Sequence, residues 1–146
     1  MLRVSYSDQL NDEYIEAICI YGSDPLVRFA SKARHEDRLR TLKGKYGLRT
    51  LIVMEEGRHF LCPFLPKTYM SKLDDREFFI IDPNRYMIRK KDVLEITSRL
   101  NTEQRREVQK EKETGKFISL SRKQATTQYL FMKSGRIYGI HTVRPL

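Results

Sequence analysis

The sequence predicts an α+β protein built from two similar ββαββ units with antiparallel sheet that share one core, and three observations predict it. The stretches "LIVMEEGRHFL" (51 to 61) and "YLFMKSGRIYG" (129 to 139) have one frame: four apolar residues ending in Met, two polar residues, Gly-Arg and a second apolar run. Their methionines, Met54 and Met132, lie 132 − 54 = 78 positions apart. Upstream of each frame the same order of strand-like runs and one helical segment recurs. Finally, 146 residues with 40% hydrophobic content are enough to bury a core of ordinary size.

Taken in order, "LRVSY" (2 to 6) is the first strand and "EYIEAICIY" (13 to 21) the second. "SDP" supplies an N-cap at Ser23 or Asp24 and Pro25 in the first turn. The segment from Leu26 to Leu42 is expected to be a helix, because Leu26, Phe29, Ala30, Ala33, Leu39 and Leu42 mostly fall on one stripe. Gly44 and Gly47 should end it. "LIVM" and "RHFLC" then form a hairpin around Gly57, which can take the positive φ of a short loop. The first unit spans 1–73 and the second 74–146, joined near "SKLDDRE". The second repeats the plan with "EFFII" (77 to 81), "KDVLEIT" (91 to 97), the capped helix "NTEQRREVQKEKETGK" and the hairpin "YLFM"/"RIYGI" around Lys133, Ser134 and Gly135. Aligning Ile18 with Val93 gives a spacing of 75, which asks for a small insertion before the second hairpin.

Composition narrows the function. A formal charge of +9 and a pI of about 9.7 attract polyanions, since each neutralised phosphate releases condensed counterions. No apolar run approaches the roughly 20 residues that cross a bilayer, and the N-terminus lacks the apolar segment of a secretory signal. A soluble cytoplasmic protein with no membrane partner is therefore expected. Cys19 and Cys62 both lie in apolar stretches, where a buried thiol is expected and a disulfide framework is not.

Basic residues concentrate from Arg28 to Arg49, where Arg28, Lys32, Arg34, Arg38, Lys43 and Lys45 are candidate phosphate anchors. The second helix alternates charge and reads as a solvated or oligomer-forming element. More pointed are the loops leading into the hairpins, "GKYGLRT" (44 to 50) and "SLSRKQATTQ" (119 to 128), which set small or hydroxyl residues beside Arg and Lys. Arg49, Arg122 and Lys123 are the candidates for contact nearest the bases.

The helix, "YGLRT" and "LIVMEEGRHFLCPFLPKTYMSKL" together resemble the RemA-type regulators of bacterial biofilm-matrix genes. Those short chains carry a Tyr-Gly-Arg-Arg-Thr-like loop, a Val/Ile-rich strand, a turn, a second strand and Pro-x-Thr before a final helix. "EKETGKFISLSRKQATTQYLFMKSGRIYGIHTVRP" is similar a second time. The resemblance implies a sheet-based protein that assembles into rings and reads DNA with arginines of that loop, which by position are Arg49 in the first copy and Arg122 and Lys123 in the second. This chain departs from the pattern at Leu48, where the family prefers Arg, and in the second loop, which lacks the Tyr-Gly pair.

Catalysis finds little support. His59 and Cys62 fall on opposite faces of a strand, His35-Glu36-Asp37 has no second histidine one turn on, and no Walker or Gly-x-Gly-x-x-Gly loop is present. No metal or cofactor is expected. The reading is a regulatory DNA-binding protein, homo-oligomeric, with duplex DNA favoured over RNA as the nucleic-acid partner. A protein-binding inhibitor whose basic surface meets an acidic protein, and a metal-dependent nuclease, are the alternatives.

Overall fold

The computed structural model describes residues 1–45 and 47–146; Tyr46 of the "YGLRT" stretch lies outside the described residues. The chain is a mixed α+β fold whose elements are β1 (Leu2–Arg3), β2 (Gln9–Leu10), β3 (Ile15–Ile20), α1 (Asp24–His35), β4 (Leu39–Thr41), β5 (Thr50–Met54), β6 (His59–Cys62), α2 (Pro66–Met70), β7 (Phe78–Asp82), β8 (Tyr86–Arg89), β9 (Val93–Thr97), α3 (Thr102–Thr114), β10 (Phe117–Ser119), β11 (Gln128–Met132) and β12 (Ile137–Ile140). The larger sheet runs β4-β6-β5-β3-β8-β7, the smaller β10-β12-β11-β9, and β1 pairs with β2 alone.

The order β4-β6-β5-β3 recurs as β10-β12-β11-β9, and the pairings recur with it. Ile18 faces Ile52 as Ile96 faces Leu130, and Leu39 faces His59 as Phe117 faces Ile137, each 78 residues on. The irregularity recurs too. Ile15 and Ala17 face Met54 and Val53, as Val93 and Glu95 face Met132 and Phe131, so Glu16 and Leu94 are the extra residues of matching β-bulges. Ile18 therefore corresponds to Ile96 and not Val93, and no insertion is needed.

The first helix is shorter than its sequence stripe suggests. It stops at His35, Asp37 turns the chain with a φ of 56°, and β4 runs parallel to β6 where a helix was expected. Leu39 and Leu42, three apart, satisfy a helical stripe and a strand equally well. Leu39 opens this strand and Leu42 follows its last residue, and in the extended chain they point to opposite faces and join different cores. Each half thus has six strands where the ββαββ plan has four, and two parallel pairs interrupt the antiparallel sheet.

Two sheets stack through the main core, in which Ala17, Cys19, Leu51 and Val53 meet Leu130, Tyr138 and Ile140, with Leu26, Phe29 and Ala30 of α1 beside them. The other face of the larger sheet is covered by the β1–β2 hairpin and by Tyr69 of α2. Val108 of α3 covers Phe131 and Ile137 on the outer face of the smaller sheet. The position between residues 73 and 74 lies in the connection from α2 to β7, yet the β7–β8 hairpin beyond it returns to pair with β3, Ala17 facing Ile88. A hairpin of the second half thus completes the sheet of the first.

Polar groups also lock the seam. Glu16, wholly buried, accepts a hydrogen bond from Arg136 Nε at 2.8 Å and from the Tyr138 hydroxyl at 2.7 Å, and Arg136 also donates to the Glu55 carbonyl at 3.2 Å. Burial disfavours the Arg136 charge, but Tyr138 and Glu16 outweigh it and raise its pKa. The two Gly-Arg pairs of the shared frame therefore have different surroundings. Arg136 is buried in the seam, whereas Arg58 is exposed and meets Asp37 at 3.2 Å.

Candidate nucleic-acid interface

Strand directions gather most of the sequence-predicted cations at one end. Ile20 at the end of β3 faces Thr50 at the start of β5, Thr50 faces Cys62, and Cys19 faces Tyr86. The loop 43–49, the start of α1 and the β7–β8 turn therefore share that end. Two hydrogen bonds tie them together: Tyr21 N–H donates to the Arg49 carbonyl at 2.9 Å, and Ile20 N–H donates to the Arg85 carbonyl at 2.7 Å. The loop 120–127 of the second half joins them, with Arg122 Nη1 3.9 Å from the Asp82 carboxylate.

Local chemistry explains why that second loop projects its cations. Ser121 is buried and its hydroxyl lies 3.0 Å from both Ser119 Oγ and Thr126 Oγ1, so the base of the loop is closed by hydroxyls. Arg122 then takes a φ of 59°, uncommon for a residue with a side chain, and it and Lys123 stand exposed at the tip. Asp82 lies 3.9 Å from both Arg85 and Arg122. Pairs this long and this open to water contribute little, so a polyanion can displace the carboxylate.

Two adjoining clefts run from this end. The first, of about 700 Å³, is lined by Tyr21, Ser23, Arg85, Arg122 and Lys123. The second, of about 600 Å³, lies between α1 and the end of α3 and is lined by Arg28, Lys32, Lys112 and Phe117. Pro25 and Ser119 belong to both. A smaller recess continues past Lys32 to Arg38 and Lys116.

Of the nine predicted residues, Arg122 and Lys123 line the first cleft, Arg28 and Lys32 the second, and Arg38 the recess beyond. Lys43, Lys45 and Arg49 are exposed on the loop flanking the basic end. Arg34 is exposed near the C-terminus of α1, away from that end. The two loops are not residue-matched: in the 78-residue frame Arg49 corresponds to Thr127 and Arg122 to Gly44, and only Lys45 and Lys123 coincide. Gly44 is held to glycine by packing, since a Cβ there would sit 2.1 Å from Pro63 Cβ.

Sequence reasoning missed Arg85, Lys112, Tyr21 and Phe117. Arg85 lies in the turn between β7 and β8, and nothing in the sequence says that this turn comes beside the opposite loop. Lys112, on a charge-alternating helix, is singled out only by its place over the Phe117 ring, 5.1 Å from the centroid.

Burial holds His59 down to about 3 and pushes the Cys62 thiol up to about 12 and the Cys19 thiol higher still. His59 Nδ1 accepts the Met54 N–H at 3.0 Å. Among the described residues no group of three or more His, Cys, Asp or Glu is placed to hold a metal ion, and no helix is long and apolar enough to cross a membrane. At the end away from the basic loops, burial first and Glu55 second raise Asp92 to about 6. In comparisons with known proteins, no family model matches the chain and no curated protein matches it significantly.

Proposed function

We propose that the protein is a regulatory DNA-binding protein of the cytoplasm that grips the polyanion at the basic end of its stacked sheets. The observation that carries this reading is the convergence of Arg49, Arg85, Arg122 and Lys123, from three separate segments, around the start of α1. Phosphate would be anchored there and along Arg28 and Lys32, with Arg49, Arg122 and Lys123 nearest the bases. The α1 start adds the positive end of a helix dipole beside Asp24, and the buried hydroxyl of its Ser23 cap makes no hydrogen bond within the chain. A duplication that gave both halves one plan fits the 78-residue recurrence. Self-association is supported by the outer edge of β9, which pairs with no strand among the described residues and carries the exposed Leu94.

Binding of labelled DNA, supplied both as single strands and as duplex, should fall linearly in log affinity against log salt. Arg122→Ala and Lys123→Ala should each weaken it. No affinity for either form, together with capture of an acidic protein in the absence of nucleic acid, would replace this reading with the inhibitor alternative.

A further inference from the structure

We infer that the strand held in the clefts is single-stranded nucleic acid rather than a double helix; this rests on the nucleic-acid reading above and specifies its ligand. Arg85, Arg122, Lys123, Arg28, Lys32 and Lys112 line two clefts that meet at Pro25 and Ser119. Volumes of about 600 and 700 Å³ suit a ligand of nucleotide size, within the roughly 300–1,000 Å³ common for small-ligand clefts.

The major groove of a duplex is read by a helix or ribbon that can enter it. The basic helix α1 is seated against the core through Leu26, Phe29, Ala30 and Ala33, which leaves only its opposite face open. The clefts instead follow α1, whose 12 residues span about 18 Å. That is a path for a flexible chain of a few nucleotides.

Aromatic side chains lie on the same path. Tyr21 is half-buried in the wall of the first cleft and Phe117 in the wall of the second. A basic groove interleaved with half-exposed rings is the arrangement by which single strands are held, phosphates on cations and bases on ring faces, with little dependence on sequence. Asp24 and Glu113 also line the clefts, so the groove is not uniformly positive.

The test is fluorescence anisotropy with the full chain and a labelled strand of about 12 nucleotides, inside the roughly 4–16 nucleotide site sizes of such grooves. The strand is supplied as DNA, as RNA and annealed to its complement. Single strands are expected to bind at least about tenfold tighter than the duplex, a gap within what stacking of one or two bases supplies. Tyr21→Leu and Phe117→Leu should each weaken single-strand binding about fivefold or more while Tyr21→Phe retains it, with thermal melts showing all three folded. Equal affinity for DNA and RNA strands assigns recognition to phosphate and base faces; preference for one names the sugar, and either supports the inference. Duplex binding as tight as single-strand binding, or indifference to Tyr21→Leu and Phe117→Leu, overturns it. Failure of all forms to bind overturns the nucleic-acid reading itself.

Discussion

Asp92 shows what a single buried carboxylate costs. Its Oδ2 has no hydrogen-bond partner, Glu55 and Glu16 stand nearby, and its pKa is raised to about 6 against roughly 3.9 in an unfolded chain. The folded state therefore binds this proton more tightly. The stability so gained is complete below pH about 4 and lost as the pH rises through about 6. Asp92→Asn removes the penalty, and thermal melts should show the variant more stable than the parent at pH 7.5, by on the order of 2 kcal/mol, and no more stable at pH 4. Glu16 is the opposite case, because its carboxylate is fully partnered by Arg136, Tyr138 and Ser134. Glu16→Ala strands a buried guanidinium, and urea denaturation should record a loss of about 3–5 kcal/mol. Neither role was legible in the sequence. Glu16 lies in an apolar strand where alternation would turn it outward, and only the bulge turns it into the seam.

Among the elements, those whose signals are local were read most fully. Helix α3 begins at Asn101, whose side chain accepts from the Gln104 N–H at 2.7 Å while the Gln104 side chain accepts from the Asn101 N–H at 3.0 Å; it ends at Gly115 with a φ of 80°. Asn101→Ala should therefore cost about 1 kcal/mol, measurable as a shift of the urea midpoint, and should leave nucleic-acid binding intact. Both hairpins were legible from their glycines, Gly57 and Gly135, each at positive φ. Strands β4 and β10 were not. Three-residue strands are too short to show a period, and the parallel pairing that fixes them is with residues about twenty positions further on. Strand β8 escaped for a related reason: its residues "YMIR" form an unremarkable run, and their partner in β3 lies some seventy positions back.

At the scale of the molecule, the frame that recurs after 78 residues is matched by a recurring strand order, β4-β6-β5-β3 and β10-β12-β11-β9, but the way these sheets stack could not be read from it. The halves stack unequally: the helix-bearing face of the first packs on the bare face of the second, so Glu16 is buried while its counterpart Leu94 is 68% exposed. Matching positions thus face different surroundings, and the two loops carry their cations at different places in the 78-residue frame. Six of the nine candidate cations, Arg28, Lys43, Lys45, Arg49, Arg122 and Lys123, lie at or beside one end, which the sequence could suggest only by their abundance near strand starts. Arg85 completes the group through topology alone.

The account stands on that end being where polyanion binds. Its most direct measurement is the slope of log affinity against log salt for the parent, for Arg122→Glu/Lys123→Glu, and for Arg105→Glu/Arg106→Glu on the exposed face of α3. The first double variant should bind far more weakly and flatten the slope by about 1.5, the share of two phosphate contacts, while the α3 variant keeps the parental slope. Equal losses from both variants, or a slope that neither changes, would contradict it.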